Sequence, residues 1–145
     1  MKSKWLPLIL MFLLVLPVAG FANHEHGKGG GDSLEDMYFG KVYFLFQNKA
    51  ELGLTEDQLN QIKDIKFDVK RMMIDTEAKK DLAMLDINQE LHKDQPDVNK
   101  IDSFIDQKHT AKAAFTKNLV RSILNTKAIL TPEQQAKAKE LYYKK

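Results

Sequence analysis

Cysteine is absent from the 145 residues of the chain. This absence excludes a disulfide framework, a lipid-anchoring cysteine and a thiolate that could act as nucleophile or metal ligand. The sequence also lacks a glycine-rich phosphate loop, a Gly-x-Ser-x-Gly turn and a His-Glu-x-x-His pair. Its carboxylates alternate with lysines at helical spacing, which is typical of a solvated helix face. We therefore expect a protein that is not an enzyme.

Long apolar runs are also scarce, and the longest one is too short for a membrane span. It covers residues 5–18, follows two lysines and leads to small residues that end at Ala22. Because a helix needs about 20 apolar residues to span a bilayer, the pattern predicts a signal peptide over residues 1–22, cleaved after Ala22 or, as second choice, Gly20. We expect a soluble, exported protein with no stable membrane insertion.

The part of the chain after residue 22 has no excess of basic over acidic side chains. The sequence has 22 basic and 20 acidic side chains, and residues 1–22 contain two of the bases and none of the acids. The remaining charges balance, so the composition gives no reason to expect binding to nucleic acid.

Apolar side chains are missing from residues 23–32, and we expect a flexible tail rich in His and Gly over residues 23–33. Its His24, Glu25 and His26 are side chains of the types that bind zinc, copper or nickel. The interpretation we favour is a polar tail that binds metal only weakly, so that no cofactor is required. The alternative is a metal site formed by these three residues.

Glycine and proline are rare after residue 33, which predicts an all-α domain over residues 34–145. Apolar periodicity and the few breakers divide it into four helices. The turn at Pro96 is short, so the second and third helices should form a long antiparallel hairpin. The predicted helices are residues 34–51, about 36 residues after Thr55, residues 98–129, and residues 132–142.

A five-residue pattern, Leu-Thr-x-x-Gln, occurs twice, 76 residues apart. In each copy the threonine is suited to cap a helix N-terminus, and the glutamine three positions later completes a capping box. Each copy taken alone fits an ordinary helix start. The residues concerned are Leu54, Thr55, Gln58, Leu130, Thr131 and Gln134.

Two such boxes on either side of a helical hairpin resemble the Spy/CpxP family of periplasmic proteins, over roughly residues 52–141. The family includes ATP-independent chaperones, CpxP-type regulators of envelope-stress sensor kinases, and ZraP- and CnrX-like metal-resistance proteins. The resemblance implies an elongated, curved four-helix protomer, an intertwined homodimer and a concave face that binds clients. The chain departs from the pattern in lacking a proline within residues 71–77.

The resemblance and the lack of catalytic motifs predict a chaperone-like protein of the envelope stress response that binds partly unfolded exported proteins. A metal-binding resistance or sensor protein, and a regulator that docks on the periplasmic domain of a sensor kinase, remain alternatives. Basic residues interleaved with apolar ones would suit such binding, although the apolar ones could instead all belong to the hairpin and dimer core. The candidate residues for client binding are Lys66, Lys70, Arg71, Met72, Met73, Phe115 and Leu119.

Overall fold

The computed structural model describes residues 33–144. Within this range the chain forms five α-helices and no strand, which confirms the predicted all-α class. None of these helices is both long enough and apolar enough to cross a membrane. The predicted signal peptide and most of the predicted tail lie outside the described residues. The helices are α1 (Leu34–Gln47), α2 (Lys49–Leu52), α3 (Glu56–Leu91), α4 (Val98–Ile129) and α5 (Pro132–Tyr143).

The first predicted helix is divided in two, so the count of four helices was wrong by one. The division occurs at Asn48, whose φ of −105° and ψ of 19° are not helical. Its side-chain Nδ2 donates to the carbonyl oxygen of Phe44 at 2.8 Å. Asparagine favours such local bonds over a continuous helix. After α2, Gly53 takes the left-handed conformation (φ 63°) that is common at a helix C-terminus.

The two long helices have the lengths that were predicted, 36 residues for α3 and 32 for α4. They are joined by a short turn and pack against each other along their length. At 1.5 Å per residue, α3 is about 54 Å long. The hairpin of the prediction is confirmed.

Glu90 fastens the turn of this hairpin, although it was not singled out from the sequence. Its side chain is buried, and its Oε1 accepts the backbone N–H of Asp97 at 3.1 Å. Its Oε2 accepts from Nζ of Lys93 at 2.5 Å. These donors hold the pKa of Glu90 below its ordinary value, the hydrogen bond from Lys93 having the largest effect. Asp97 in turn caps α4 by accepting the N–H groups of Asn99 and Lys100.

The core lies at the end of the hairpin that is furthest from this turn. There α1 packs on both long helices and buries Tyr38, Val42 and Leu45 against them. Along α3 the side chains buried at seven-residue intervals become smaller or polar toward the turn, because no third helix covers that half. Those buried side chains are Ile62, Val69, Thr76, Ala83 and Glu90.

Candidate functional site

Both Leu-Thr-x-x-Gln boxes form the predicted capping boxes. Thr55 Oγ1 accepts the N–H of Gln58 at 3.2 Å, and Thr131 Oγ1 accepts that of Gln134 at 3.2 Å. In return, each glutamine Oε1 accepts the N–H of its own threonine at 3.0 Å. The leucines that begin the two boxes, Leu54 and Leu130, pack on or within the core.

The boxes also bind each other, which the sequence did not predict. Nε2 of Gln58 donates to Oε1 of Gln134 at 2.8 Å, and Nε2 of Gln134 donates to Oε1 of Gln58 at 3.1 Å. The second proton of Gln58 goes to the carbonyl oxygen of Ile129 at 2.9 Å, and that of Gln134 goes to the carbonyl oxygen of Gly53 at 3.0 Å. This glutamine pair therefore joins the start of α3 to the start of α5. All side-chain nitrogen and oxygen atoms of the pair are occupied by these hydrogen bonds, so its role is structural.

The seven candidate residues for client binding do not form one surface. Lys70 and Arg71 are exposed, and Arg71 Nη1 lies 2.8 Å from Oδ1 of Asp68. Phe115 is 6% exposed and Leu119 is 0% exposed. These two side chains are consumed by the packing of α4 against α3 and α1, so they are removed from any exposed surface of the protomer.

The other three candidates lie at the edge of the core. Lys66 is half-buried, with its Nζ 5.8 Å from the centre of the Phe46 ring. That distance allows a cation–π contact. Met72 and Met73 are also half-buried and pack against the core cluster. Only part of each side chain is therefore open to a partner.

Six large apolar side chains on α3 are exposed instead, and two of them are Met84 (40%) and Leu91 (53%). Of the other four, Phe67 is 44% exposed, Ile74 72%, Leu82 60% and Leu85 51%. Phe67 and Ile74 each precede a buried residue, Val69 or Thr76, by two positions, which puts them about 200° from it around the helix. They face away from α4.

We call this surface the outer face of α3. Its residues span 18 positions, about 27 Å along the helix axis. Soluble proteins expose single apolar residues commonly, but rows of them indicate a contact surface. The outer face of α3 consists of Phe67, Lys70, Arg71, Ile74, Leu82 and Leu85.

A shorter surface of the same kind occurs on α4. Val120 is 42% exposed and Leu124 is 58% exposed, and Lys117 and Arg121 are exposed beside them. Leu124 lies two positions from the buried Ser122 and two from the buried Thr126, so it points away from α3 and α1. We call these four residues the outer face of α4.

The candidate metal ligands His24, Glu25 and His26 lie outside the described residues. Across residues 33–144 there is no group of three or more His, Asp or Glu side chains arranged to hold a metal ion. His92, at the end of α3, has its Nδ1 2.7 Å from the carbonyl oxygen of Asn88.

The fold and these surfaces define an all-α hairpin protein with exposed helix faces that combine apolar and basic side chains. A comparison with known protein families matches residues 5–137 to the heavy-metal resistance family. The match covers most of the chain, and the chain belongs to this family. It agrees with the metal-resistance branch of the resemblance described above. No curated protein and no solved structure gives a match.

Proposed function

We propose that the protein is a periplasmic, ATP-independent chaperone-like member of the heavy-metal resistance family, near the Spy/CpxP group, and that it binds partly unfolded exported proteins. The observation that carries this proposal is the outer face of α3, where Ile74 is 72% exposed beside Lys70 and Arg71. Basic groups attract an unfolded chain over a distance, and separated apolar side chains hold it without requiring one sequence.

The spacing of the apolar residues on this face favours weak, reversible binding. Phe67 and Ile74 are about 10 Å apart along the axis, and Ile74 and Leu82 about 12 Å, with charged side chains between them. Each contact buries little apolar area, so little binding free energy is lost when a client dissociates. A client that folds buries its own apolar groups and no longer competes for this face. Release then needs no nucleotide.

We infer further that the protein acts as a homodimer, with the outer face of α4 as part of the contact between protomers. The exposed Val120 and Leu124 support this arrangement. A dimer that buries the α4 surface leaves the outer face of α3 open to a client.

The proposal is tested by suppression of aggregation of two unrelated unfolding proteins. We expect the wild-type protein to suppress it at several-fold molar excess, and the double variant Ile74→Ser and Leu82→Ser to lose most of that activity. Charge reversal by Lys70→Glu with Arg71→Glu should weaken suppression and reduce its dependence on salt. All four positions are exposed, so circular dichroism should show the fold unchanged.

The matched control reverses two exposed lysines elsewhere, by Lys112→Glu with Lys137→Glu. It should suppress aggregation as the wild type does. The proposal fails if the wild type does not suppress aggregation of either client, or if the control loses as much activity as the α3 variants. The regulatory role, docking on a sensor kinase, would then be tested with the periplasmic domain of that kinase.

A second candidate function is metal binding, favoured by the family match and by the cluster of His24, Glu25 and His26. Titration calorimetry with zinc, copper and nickel tests it. If the tail holds the metal, His24→Ala with His26→Ala removes most tight binding and leaves the helicity unchanged. Unchanged affinity in that variant would move the site to other residues.

A further inference from the structure

A cavity of about 280 Å³ lies between α1, the end of α4 and α5. Its inner wall is apolar and includes the buried side chains of Val42, Leu45 and Leu130. Aromatic rings form another part of the lining, where Phe44 and Tyr142 pack edge to face with their centres 5.4 Å apart. The volume lies just below the roughly 300–1,000 Å³ of pockets that hold drug-sized molecules.

The charges that line this cavity all have one sign. Lys41, Lys127 and Lys139 line it, and no Asp or Glu does. None of the three lysines forms an ion pair with another residue in the described part of the chain. Three ammonium groups around an apolar wall favour an anion over a neutral or cationic molecule.

Two hydroxyl groups of the lining are buried beside each other. Tyr38 is 1% exposed and Thr126 is 6% exposed, and neither Oη of Tyr38 nor Oγ1 of Thr126 has surface that a bound molecule could reach. Burial has the largest effect on the pKa of Tyr38 and raises it, whereas a hydrogen bond with Thr126 lowers it. The cavity therefore offers a ligand its apolar wall and its lysines.

We propose that this cavity binds a small amphipathic anion, a monocarboxylate with a single acyl chain of medium length. The acyl chain lies against Val42, Leu45 and Leu130. The carboxylate pairs with the exposed ammonium groups of Lys41, Lys127 and Lys139. The site is formed by α1, α4 and α5, so it is separate from the outer face of α3.

The probe is decanoate, used below its critical micelle concentration. The protein is purified in the form that the expressing cell produces. We expect saturable one-to-one binding by calorimetry, with amide NMR shifts at residues that line the cavity. Decyltrimethylammonium, with the same chain and the opposite charge, should not compete. Absence of saturable decanoate binding, or shifts centred on the outer face of α3, would overturn the proposal, as would equal binding of the cation.

Two charge-reversal variants separate binding from a structural role. Lys127→Glu with Lys139→Glu should abolish saturable binding, and because both positions are exposed the helicity should stay unchanged. The α3 double variant Lys70→Glu with Arg71→Glu is the control and should bind decanoate as the wild type does. Wild-type affinity in the Lys127 and Lys139 variant would contradict the proposed site.

Discussion

At the scale of single residues, the glutamine pair is the contact on which the arrangement of the helices depends most clearly. Removing one side chain, by Gln58→Ala, takes the acceptor from the N–H of Thr55, the donor from the carbonyl of Ile129, and both hydrogen bonds of the pair from Gln134. We expect a loss of about 1–3 kcal/mol in the free energy of unfolding, measured with urea. Gln107→Ala, at an exposed position on α4, is the control and should change little.

The pair should also behave as a unit. Because Gln58 and Gln134 donate to each other, the double variant Gln58→Ala with Gln134→Ala should cost less than the two single losses added together. A double-mutant cycle in which the two losses add to within about 0.5 kcal/mol would show that the pair does not form.

Glu90 gives a prediction about pH. Its pKa is lower in the folded protein than its ordinary value of 4.5, so the unfolded chain binds the proton more readily. The stabilisation by Glu90 is therefore fully present above about pH 4.5 and is lost as the pH falls through the folded-state pKa. Glu90→Gln should lower stability at neutral pH and make its decline in acid shallower.

Chemical denaturation over a series of pH values measures this effect. Glu77→Gln, at an exposed position of α3, serves as the control and should keep the wild-type pH profile. A Glu90→Gln profile parallel to that of the wild type at every pH would show that Glu90 does not fasten the turn.

At the scale of helices, both capping boxes act on the helix that they begin. Thr55→Ala and Thr131→Ala each remove an oxygen that accepts a backbone N–H at 3.2 Å. Each should cost on the order of 1 kcal/mol in the free energy of unfolding. Thr116→Ala, within α4 and exposed, is a suitable control. Unchanged stability in both cap variants would mean that the helices do not depend on these caps.

The bounds of the long helices could be predicted because they depend on neighbours in the chain. Thr55, Asp97 and Pro132 act within one turn of their own positions, so local rules are sufficient. The break at Asn48 was missed because asparagine is tolerated inside helices, and its local bond to the carbonyl of Phe44 is only one of the conformations open to it. The glutamine pair was missed because it joins residues 76 apart, although the identical spacing within both boxes was a signal.

The exposed sides of the long helices were harder to predict from the sequence than the helix bounds. Apolar residues occur on more than one side of α3 and α4, and periodicity does not say which side meets the partner helix. Phe115 and Leu119 were candidates for client binding, with a place in the core as the alternative, and they are buried. Ile74 was not singled out and is exposed. Lys70 and Arg71 are exposed, as long charged side chains usually are, and their role in client binding stays a prediction.

At the scale of the whole molecule, we expect the protein to form a dimer through the outer face of α4. Sedimentation at micromolar concentration should give a dimer for the wild type and mainly monomer for Val120→Lys with Leu124→Lys. Ile74→Lys, on the outer face of α3, should remain dimeric. A fully helical wild-type monomer at that concentration would contradict the dimer, and a monomeric Ile74→Lys would place the contact on α3.

The central claim is that clients bind on the outer face of α3. Site-specific photocrosslinking tests it most directly, with a photoreactive residue placed in turn at Ile74, Leu82, Leu124 and Tyr143, all of which are exposed. In the presence of a partly unfolded client, we predict strong crosslinks from Ile74 and Leu82 and weak ones from Leu124 and Tyr143. Crosslinks that are equal at all four positions, or strongest from Leu124 or Tyr143, would contradict the claim.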